Sequence, residues 1–267
     1  MATIFDTFPY AQNFEVNAQM LAENEYPGRV IVMGLDQLGT HALQTYALMG
    51  RSPDSRDRIF SEEQDGFRTT SPTKTEAEMA AAPNSKLIYY KAIRNGDGLH
   101  VVSNGAQTDP IFDALTDLQV DLEQASIAAP EVDGIKLSRY EPDDPNFTPR
   151  ITGVVDLRAS APTSFGMTEV RKDIDSSVPV YNSYKHGTVQ DVTPGVGYVI
   201  QTYNGNGNPL PSFDRKPYAI ELGKGVEDTA KTIWGLLNKD NRVALVTQAI
   251  DLASGEAVDH YMIDIHS

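Results

Sequence analysis

Residues Lys86–Ser103 read KLIYYKAIRNGDGLHVVS. Two apolar-rich runs, Lys86–Arg94 and Leu99–Ser103, flank NGDG, whose glycines permit the positive φ that a tight hairpin turn demands. The pattern predicts an antiparallel hairpin. Within KLIYYKAIR a period of two assigns Ile88, Tyr90, Ala92 and Arg94 to one face and Leu87, Tyr89, Lys91 and Ile93 to the other. Tyr90 and Arg94 would then share a face, roughly 13 Å apart at about 3.3 Å per residue, a span suited to a small nucleotide.

The same signals recur on either side of this hairpin. YPGR at Tyr26–Arg29 is a turn, with proline presetting one φ and glycine tolerating the next. It leads into RVIVMGL (Arg29–Leu35) and ALQTYALM (Ala42–Met49), a hairpin around DQLGT. Further strands are expected at Arg150–Leu157, Ser164–Arg171, Pro179–Tyr184, Gly197–Tyr203, Arg242–Asp251 and Val258–His266. One helix should start at Asp109 as cap with Pro110 in its first turn, aligning Ile111, Phe112, Leu115, Leu118 and Leu122 in a stripe. A second covers Val226–Leu237 and carries the only tryptophan, Trp234. The Thr-, Ser-, Pro- and Ala-rich stretch Gln64–Asn84 reads as a surface excursion. Residues 1–25 read as an N-terminal extension ending in a short helix with Phe14, Met20 and Leu21 inward, and residues 26–267 as a single domain. Strands arriving in sequential, hairpin-like groups with few helices predict an α+β fold, two stacked antiparallel β-sheets covered by helices.

Composition narrows the function. The 267-residue chain has a net charge of −15, 40% apolar residues and 22% charged residues, values ordinary for a globular protein. An acidic surface argues against nucleic acid as a partner, because that binding requires a basic face. No apolar run approaches the roughly 18 residues that span a bilayer, so no membrane role is expected. The opening MATIFDTFPY lacks a signal peptide's basic start and apolar core, which makes the cytoplasm the expected location. Without cysteine there is no disulfide, thiolate nucleophile or Cys-based metal site. The five histidines are scattered singly, with no pair spaced as metal ligands, so no metal site is expected. Homo-oligomerisation is left open by the sequence.

Against this acidic background, LMGRSPDSRDRI at Leu48–Ile59 places Arg51, Arg56 and Arg58 in one turn-rich loop. Converging guanidinium forks match phosphate or carboxylate oxygens, although local pairing with Asp54 and Asp57 would also account for them. A tyrosine near such charges, as Tyr90 would be, is readied for proton exchange, and a half-buried structural tyrosine is the plainer alternative. SNGAQTD at Ser103–Asp109 combines an Asn-Gly turn at Asn104 with a helix start at Asp109, whose free N–H groups can meet an anion. Glu141 and Arg150 bracket a proline-punctuated loop.

Five blocks taken in order, YPGR (Tyr26–Arg29), MGRSPDSRDR (Met49–Arg58), IYYKAIR (Ile88–Arg94), VSNGAQTD (Val102–Asp109) and RYEPDDPNFTPRI (Arg139–Ile151), resemble the archaeal-type IMP cyclohydrolase family. The resemblance spans Tyr26–Ile151, about half the chain, and NGNGNPLPSF beyond it looks like bacterial members. It implies an αββα core similar to that of N-terminal-nucleophile hydrolases. It also implies closure of 5-formamidoimidazole-4-carboxamide ribonucleotide to IMP with loss of water, a step of purine biosynthesis that uses no cofactor. Carried over by position, its catalytic arginine, tyrosine and glutamate fall on Arg56, Tyr90 and Glu141. Arg29, Arg51, Arg58 and Arg94 are then candidates for the 5′-phosphate and ribose of a small anionic nucleotide, and Asn104, Asp109 and Arg150 for further substrate contacts. Two alternatives stand beside this one, a purine-nucleotide-binding paralogue without turnover and an amide hydrolase on the same scaffold. The latter would need internal cleavage before a Ser or Thr, because Ala2 is no nucleophile.

Overall fold

The computed structural model describes residues 13–82, 85–118, 120–159 and 165–267. In chain order the strands are β1 (Arg29–Leu35), β2 (His41–Met49), β3 (Ile59–Glu63), β4 (Gly66–Thr70), β5 (Lys91–Gly96), β6 (Leu99–Ser103), β7 (Glu131–Val132), β8 (Ile135–Lys136), β9 (Arg150–Asp156), β10 (Phe165–Lys172), β11 (Pro179–His186), β12 (Val196–Gln201), β13 (Tyr218–Glu221), β14 (Arg242–Asp251) and β15 (Ala257–Asp264). The helices are α1 (Phe14–Glu23), α2 (Pro53–Arg56), α3 (Glu76–Ala81), α4 (Ser85–Ile88), α5 (Thr108–Asp117), α6 (Leu122–Ile127) and α7 (Val226–Leu236).

Two antiparallel sheets hold most of these strands. The first runs β13–β12–β1–β2–β14–β15 and the second β11–β10–β9–β6–β5–β4–β3, with β7 and β8 forming a separate small ribbon. Their inner faces share one core, to which Ile31, Met33 and Tyr46 contribute from the first sheet and Ile93, Val102, Ile151 and Met167 from the second. The sheets approach closely at Gly153, where an added Cβ would sit 2.1 Å from Met33 Sδ. Helices cover the outer faces, α7 against β14 and β15 and α1 against β13, with α5 against β5 and β6 and α6 against β10 and β11. The second sheet's outer face makes its own apolar layer, Leu99, Val101 and Val154 meeting Ile111, Phe112, Leu115 and Leu122. The α+β reading and the stacked antiparallel sheets therefore hold, in the order helix–sheet–sheet–helix.

Several expectations are corrected. KLIYYKAIR is not one strand, because Ser85–Ile88 forms a helical turn and the strand begins at Lys91. Phe67 pairs with Ile93 but Arg68 with Lys91, leaving Ala92 as an extra residue on β5. This β-bulge resets the alternation, so Tyr90 joins the inter-sheet core while Arg94 turns outward to α5. Tyr90 and Arg94 therefore do not share a face. The Gln64–Asn84 excursion contains β4, which pairs with β3, and α3, while Pro83 and Asn84 lie outside the described residues. β3 is the sheet's edge strand and carries Glu62 and Glu63, charges that suit an edge but hide the strand signal.

The helix after Ser103 is capped at Gln107, with Asp109 in its first turn rather than at the cap. It stops at Leu118, which is exposed, and α6 restarts from Asp121, whose side chain accepts from Gln124 N at 2.9 Å. The extension's helix is present as α1, with Leu21 buried, and its first twelve residues lie outside the described residues. Ser164, the expected start of a strand, also lies outside them.

Candidate active site

Polar groups gather at one end of the space between the sheets. The start of β1 meets the ends of β2 and β12 there, and in the second sheet the end of β6 meets the start of β9. Arg29 opens β1 and alternates with Ile31 and Met33, which puts its side chain on the inner face. Tyr46 lies opposite Ile31 in β2 and shares that face. Its hydroxyl is 2.7 Å from that of Tyr90, which reaches it from the connector before β5, and both rings are buried.

Glu141 comes from the loop between β8 and β9, which folds back on itself. Glu141 N donates to Thr148 O at 2.8 Å, Thr148 N donates to Asp143 Oδ1 at 2.7 Å, and the Thr148 hydroxyl meets both Asp143 Oδ2 and the hydroxyl of Tyr203. The carboxylate this presents is 1% exposed and lies 3.9 Å from Arg29 Nη2 and 3.7 Å from Arg150 Nη1. Arg150 is held by Nη1 donating to Gln107 Oε1 and Nε donating to Arg139 O, each at 2.8 Å. Gly105 leaves room for this group, since a Cβ there would stand 2.8 Å from Arg150 Nη1 and 3.2 Å from Glu141 Oε1.

The cluster keeps unused capacity. Glu141 Oε1, Arg29 Nε and Arg150 Nη2 are buried without a hydrogen-bond partner, which is uncommon in a folded protein and common where a polar ligand docks. Burial pushes Glu141 up to about 7 in spite of Arg29 and Arg150, so both of its protonation states are accessible near neutrality. Against the pull of burial, Glu141 and Tyr90 hold Arg29 well above its ordinary value. Burial lowers Arg150 and Arg58, and it raises Tyr46 with a further push from Tyr90.

The residues singled out in the sequence divide into three groups. Arg29, Tyr90, Glu141 and Arg150 come together, and Arg58 joins them. Arg58 is buried, donates from Nε to Ser55 O at 2.9 Å and from Nη2 to Met49 O at 3.0 Å, and interacts electrostatically with Arg29, Tyr90 and Tyr46. Arg51 and Arg56 lie further out. Arg51 is exposed, stacks over the Tyr26 ring at 4.8 Å and donates to Asn206 Oδ1 at 2.8 Å. Arg56 is half-buried and donates to the carbonyls of Gly50 and Asp240.

Asn104 is buried, donating to Pro149 O and accepting from Ile151 N, each at 2.8 Å, and its Oδ1 also accepts from Gln107 Nε2 at 3.0 Å, behind Arg150. Arg94 and Asp109 are on the outer face, 3.2 Å apart, with Asp113 2.8 Å from the same guanidinium and Phe112 beneath it.

Sequence patterning does not single out Tyr46, Tyr203, Gln107 or Thr148. Tyr46 sits in a strand with Ala42, Leu43, Ala47, Leu48 and Met49 and looks like core, while the other three are polar loop or strand-end residues whose convergence is tertiary. A second buried acid lies apart from the cluster. Glu169 on β10 accepts from Asn182 Nδ2 at 2.9 Å and lies 3.7 Å from Arg171 Nε. Burial pushes it, too, up to about 7. Among the described residues no group of three or more His, Asp or Glu side chains is arranged to hold a metal ion, and no helix is long and apolar enough to cross a membrane.

Comparison with known proteins bears on this arrangement. A protein named IMP cyclohydrolase from Natronomonas pharaonis is 36% identical over 135 residues, covering 49% of this chain and 58% of that relative. The aligned stretch thus spans under two thirds of the relative's length. The profile of IMP cyclohydrolase-like proteins matches residues 26–255, a range that includes every residue of the polar cluster. The chain belongs to the IMP cyclohydrolase-like protein family.

Proposed function

We propose that this protein closes the purine ring of 5-formamidoimidazole-4-carboxamide ribonucleotide to give IMP and water. The observation that carries the reading is the buried Arg29–Glu141–Arg150 group, which has one unpartnered polar atom on each side chain and a tyrosine pair beside it. Family membership and the named relative support this reaction, and the site supplies groups suited to it. The helix–sheet–sheet–helix order also supports a likeness to N-terminal-nucleophile hydrolases.

In the substrate the reacting carboxamide and formamido groups are neighbours on one imidazole ring, so proximity is built in. The carboxamide nitrogen bonds to the formyl carbon and gives up a proton, and the formyl oxygen becomes a hydroxyl. That hydroxyl takes a further proton and leaves as water while the formamido nitrogen loses its hydrogen and a C=N bond closes the ring. Glu141, with both protonation states accessible near pH 7, orients the carboxamide and accepts its proton. Tyr90 shuttles the proton that the oxygen requires.

Charge developing on that oxygen is met by Arg29 and Arg58, which are buried beside Tyr90. Arg56 and Arg51 serve at the mouth, where a 5′-phosphate would sit. The ligand is thus a small anionic nucleotide, and no step calls on a metal or organic cofactor. Purified protein should convert the formamido ribonucleotide to IMP, followed by the change in purine absorbance. No rate above buffer at micromolar enzyme overturns the reading.

A further inference from the structure

Tyr46 is the one member of the cluster fixed in the middle of a strand. It pairs with Ile31 on one side and Val246 on the other, and its ring is in edge contact with Phe60 at 5.8 Å. Its hydroxyl lies 2.7 Å from that of Tyr90. The cations around the pair, Arg29 from β1, Arg58 from the loop before β3 and Arg150 from β9, can only donate hydrogen bonds. Glu141, from the loop before β9, and Tyr203, after β12, are the other titratable groups facing Arg29. In such a setting one negative charge on the tyrosine pair is offset electrostatically, while two would repel. The question is which oxygen carries it. Tyr46 is fully enclosed mid-strand, whereas Tyr90 lies on the connector before β5 and interacts with Arg29, Arg58 and Arg150. Enclosure keeps the proton on Tyr46.

We infer that Tyr46 is a positioning residue for the proposed ring closure: its hydroxyl donates to the Tyr90 oxygen and steadies that oxygen whenever it carries negative charge. This rests on the functional reading above, but the hydrogen bond itself can be examined without turnover. Tyr46→Phe keeps the ring and its contact with Phe60 and removes only the donor. It should lower kcat roughly 10- to 100-fold, the equivalent of one hydrogen bond to a charged group, with KM within about twofold. The high-pH limb of the rate profile should move upward by about one to two units.

Tyr218→Phe is the control, since Tyr218 is a buried tyrosine of the same sheet whose hydroxyl donates to Gln201 at 2.9 Å, away from the cluster. It should leave both quantities unchanged. In parallel, an NMR pH titration of ring-labelled tyrosine, with the Tyr90 resonance assigned by its loss in Tyr90→Phe, should show that resonance moved in Tyr46→Phe and unmoved in Tyr218→Phe. If the wild type shows no turnover, the proposed reaction falls while this titration still decides the role of Tyr46. An unchanged kcat and an unmoved resonance in Tyr46→Phe overturn the inference. Should that variant not fold, the wild-type spectrum decides alone, and a Tyr46 resonance that ionises before that of Tyr90 overturns it.

Discussion

Glu141 and Arg29 face each other across 3.9 Å, a separation that makes an ion pair but not a hydrogen bond. A buried carboxylate held this loosely is poised rather than locked. With Glu141 at about 7, kcat/KM for ring closure should rise as pH passes through that value, following the carboxylate form that accepts the proton. Glu141→Gln should flatten that limb and lower kcat/KM by about 10²- to 10⁴-fold. A pH–rate profile of the two proteins checks both, and an unchanged limb near pH 7 in the variant assigns the titration elsewhere.

The second buried acid gives a stability signature of its own. Glu169 is shifted up to about 7 from an ordinary 4.5, so between those values the folded state binds a proton that the unfolded state has released. The stabilisation is complete below about 4.5, declines as pH rises and is gone above about 7, at up to about 1.4 kcal/mol per pH unit. Glu169→Gln should remove this contribution, leaving the same-signed one of Glu141. Urea unfolding at a series of pH values from 5 to 8 measures it, and identical slopes in the two proteins would contradict it.

Tyr89 and Tyr90 are adjacent, and both are buried, but only the hydroxyl of Tyr90 reaches the cluster, while that of Tyr89 lies beside Lys74. Tyr90→Phe should reduce turnover about 10²- to 10⁴-fold with product affinity nearly intact. Tyr89→Phe removes a hydroxyl outside the cluster, so it should leave turnover alone and change stability by no more than about 1.5 kcal/mol. Steady-state kinetics and thermal unfolding of the pair separate the two, and damage confined to Tyr89→Phe would reverse the assignment.

Arg56 and Arg58 are two residues apart yet differently placed. Arg58→Lys loses the fork that holds Met49 O and Ser55 O and leaves a buried cation with fewer partners, which should cost about 1.5–3 kcal/mol of stability as well as turnover. Arg56→Lys, at a half-buried position, should weaken nucleotide binding more than it lowers kcat. Separate kcat and KM values for the two variants decide which arginine faces the reacting oxygen, and a larger kcat loss from Arg56→Lys would give that role to Arg56.

The sequence revealed the strands whose residues alternate or run apolar without interruption. Arg242–Asp251 is found at its expected bounds, and both β1 and β2 lie within a residue of theirs. It hid the strands whose polarity reflects an edge position, β3 above all. Of the candidate site, Arg58 could be read because a cluster of arginines in an acidic chain stands out, while Arg29, Tyr90, Glu141 and Arg150 take their meaning from the family resemblance. Arg94 was legible as a neighbour of Tyr90 and Asp109 as a helix cap, but neither as outward-facing, because the bulge that turns Arg94 away leaves no mark in local patterning. Tyr46 could not be read at all, since its meaning depends on a hydroxyl brought from 44 residues away.

That bulge has a consequence of parity. Upstream of Ala92 the chain answers to the chemistry between the sheets, and downstream it answers to the docking of α5, with one surplus residue keeping the two demands out of step. A regular strand at the present spacing would put Tyr90 and Arg94 on one face, driving a guanidinium into the core or a tyrosine out of it. Loss of the surplus residue itself would leave an unbroken alternation, with Tyr90 still inward and Arg94 still outward. Among relatives of this chain, the spacing between these two positions should thus change only together with the bulge.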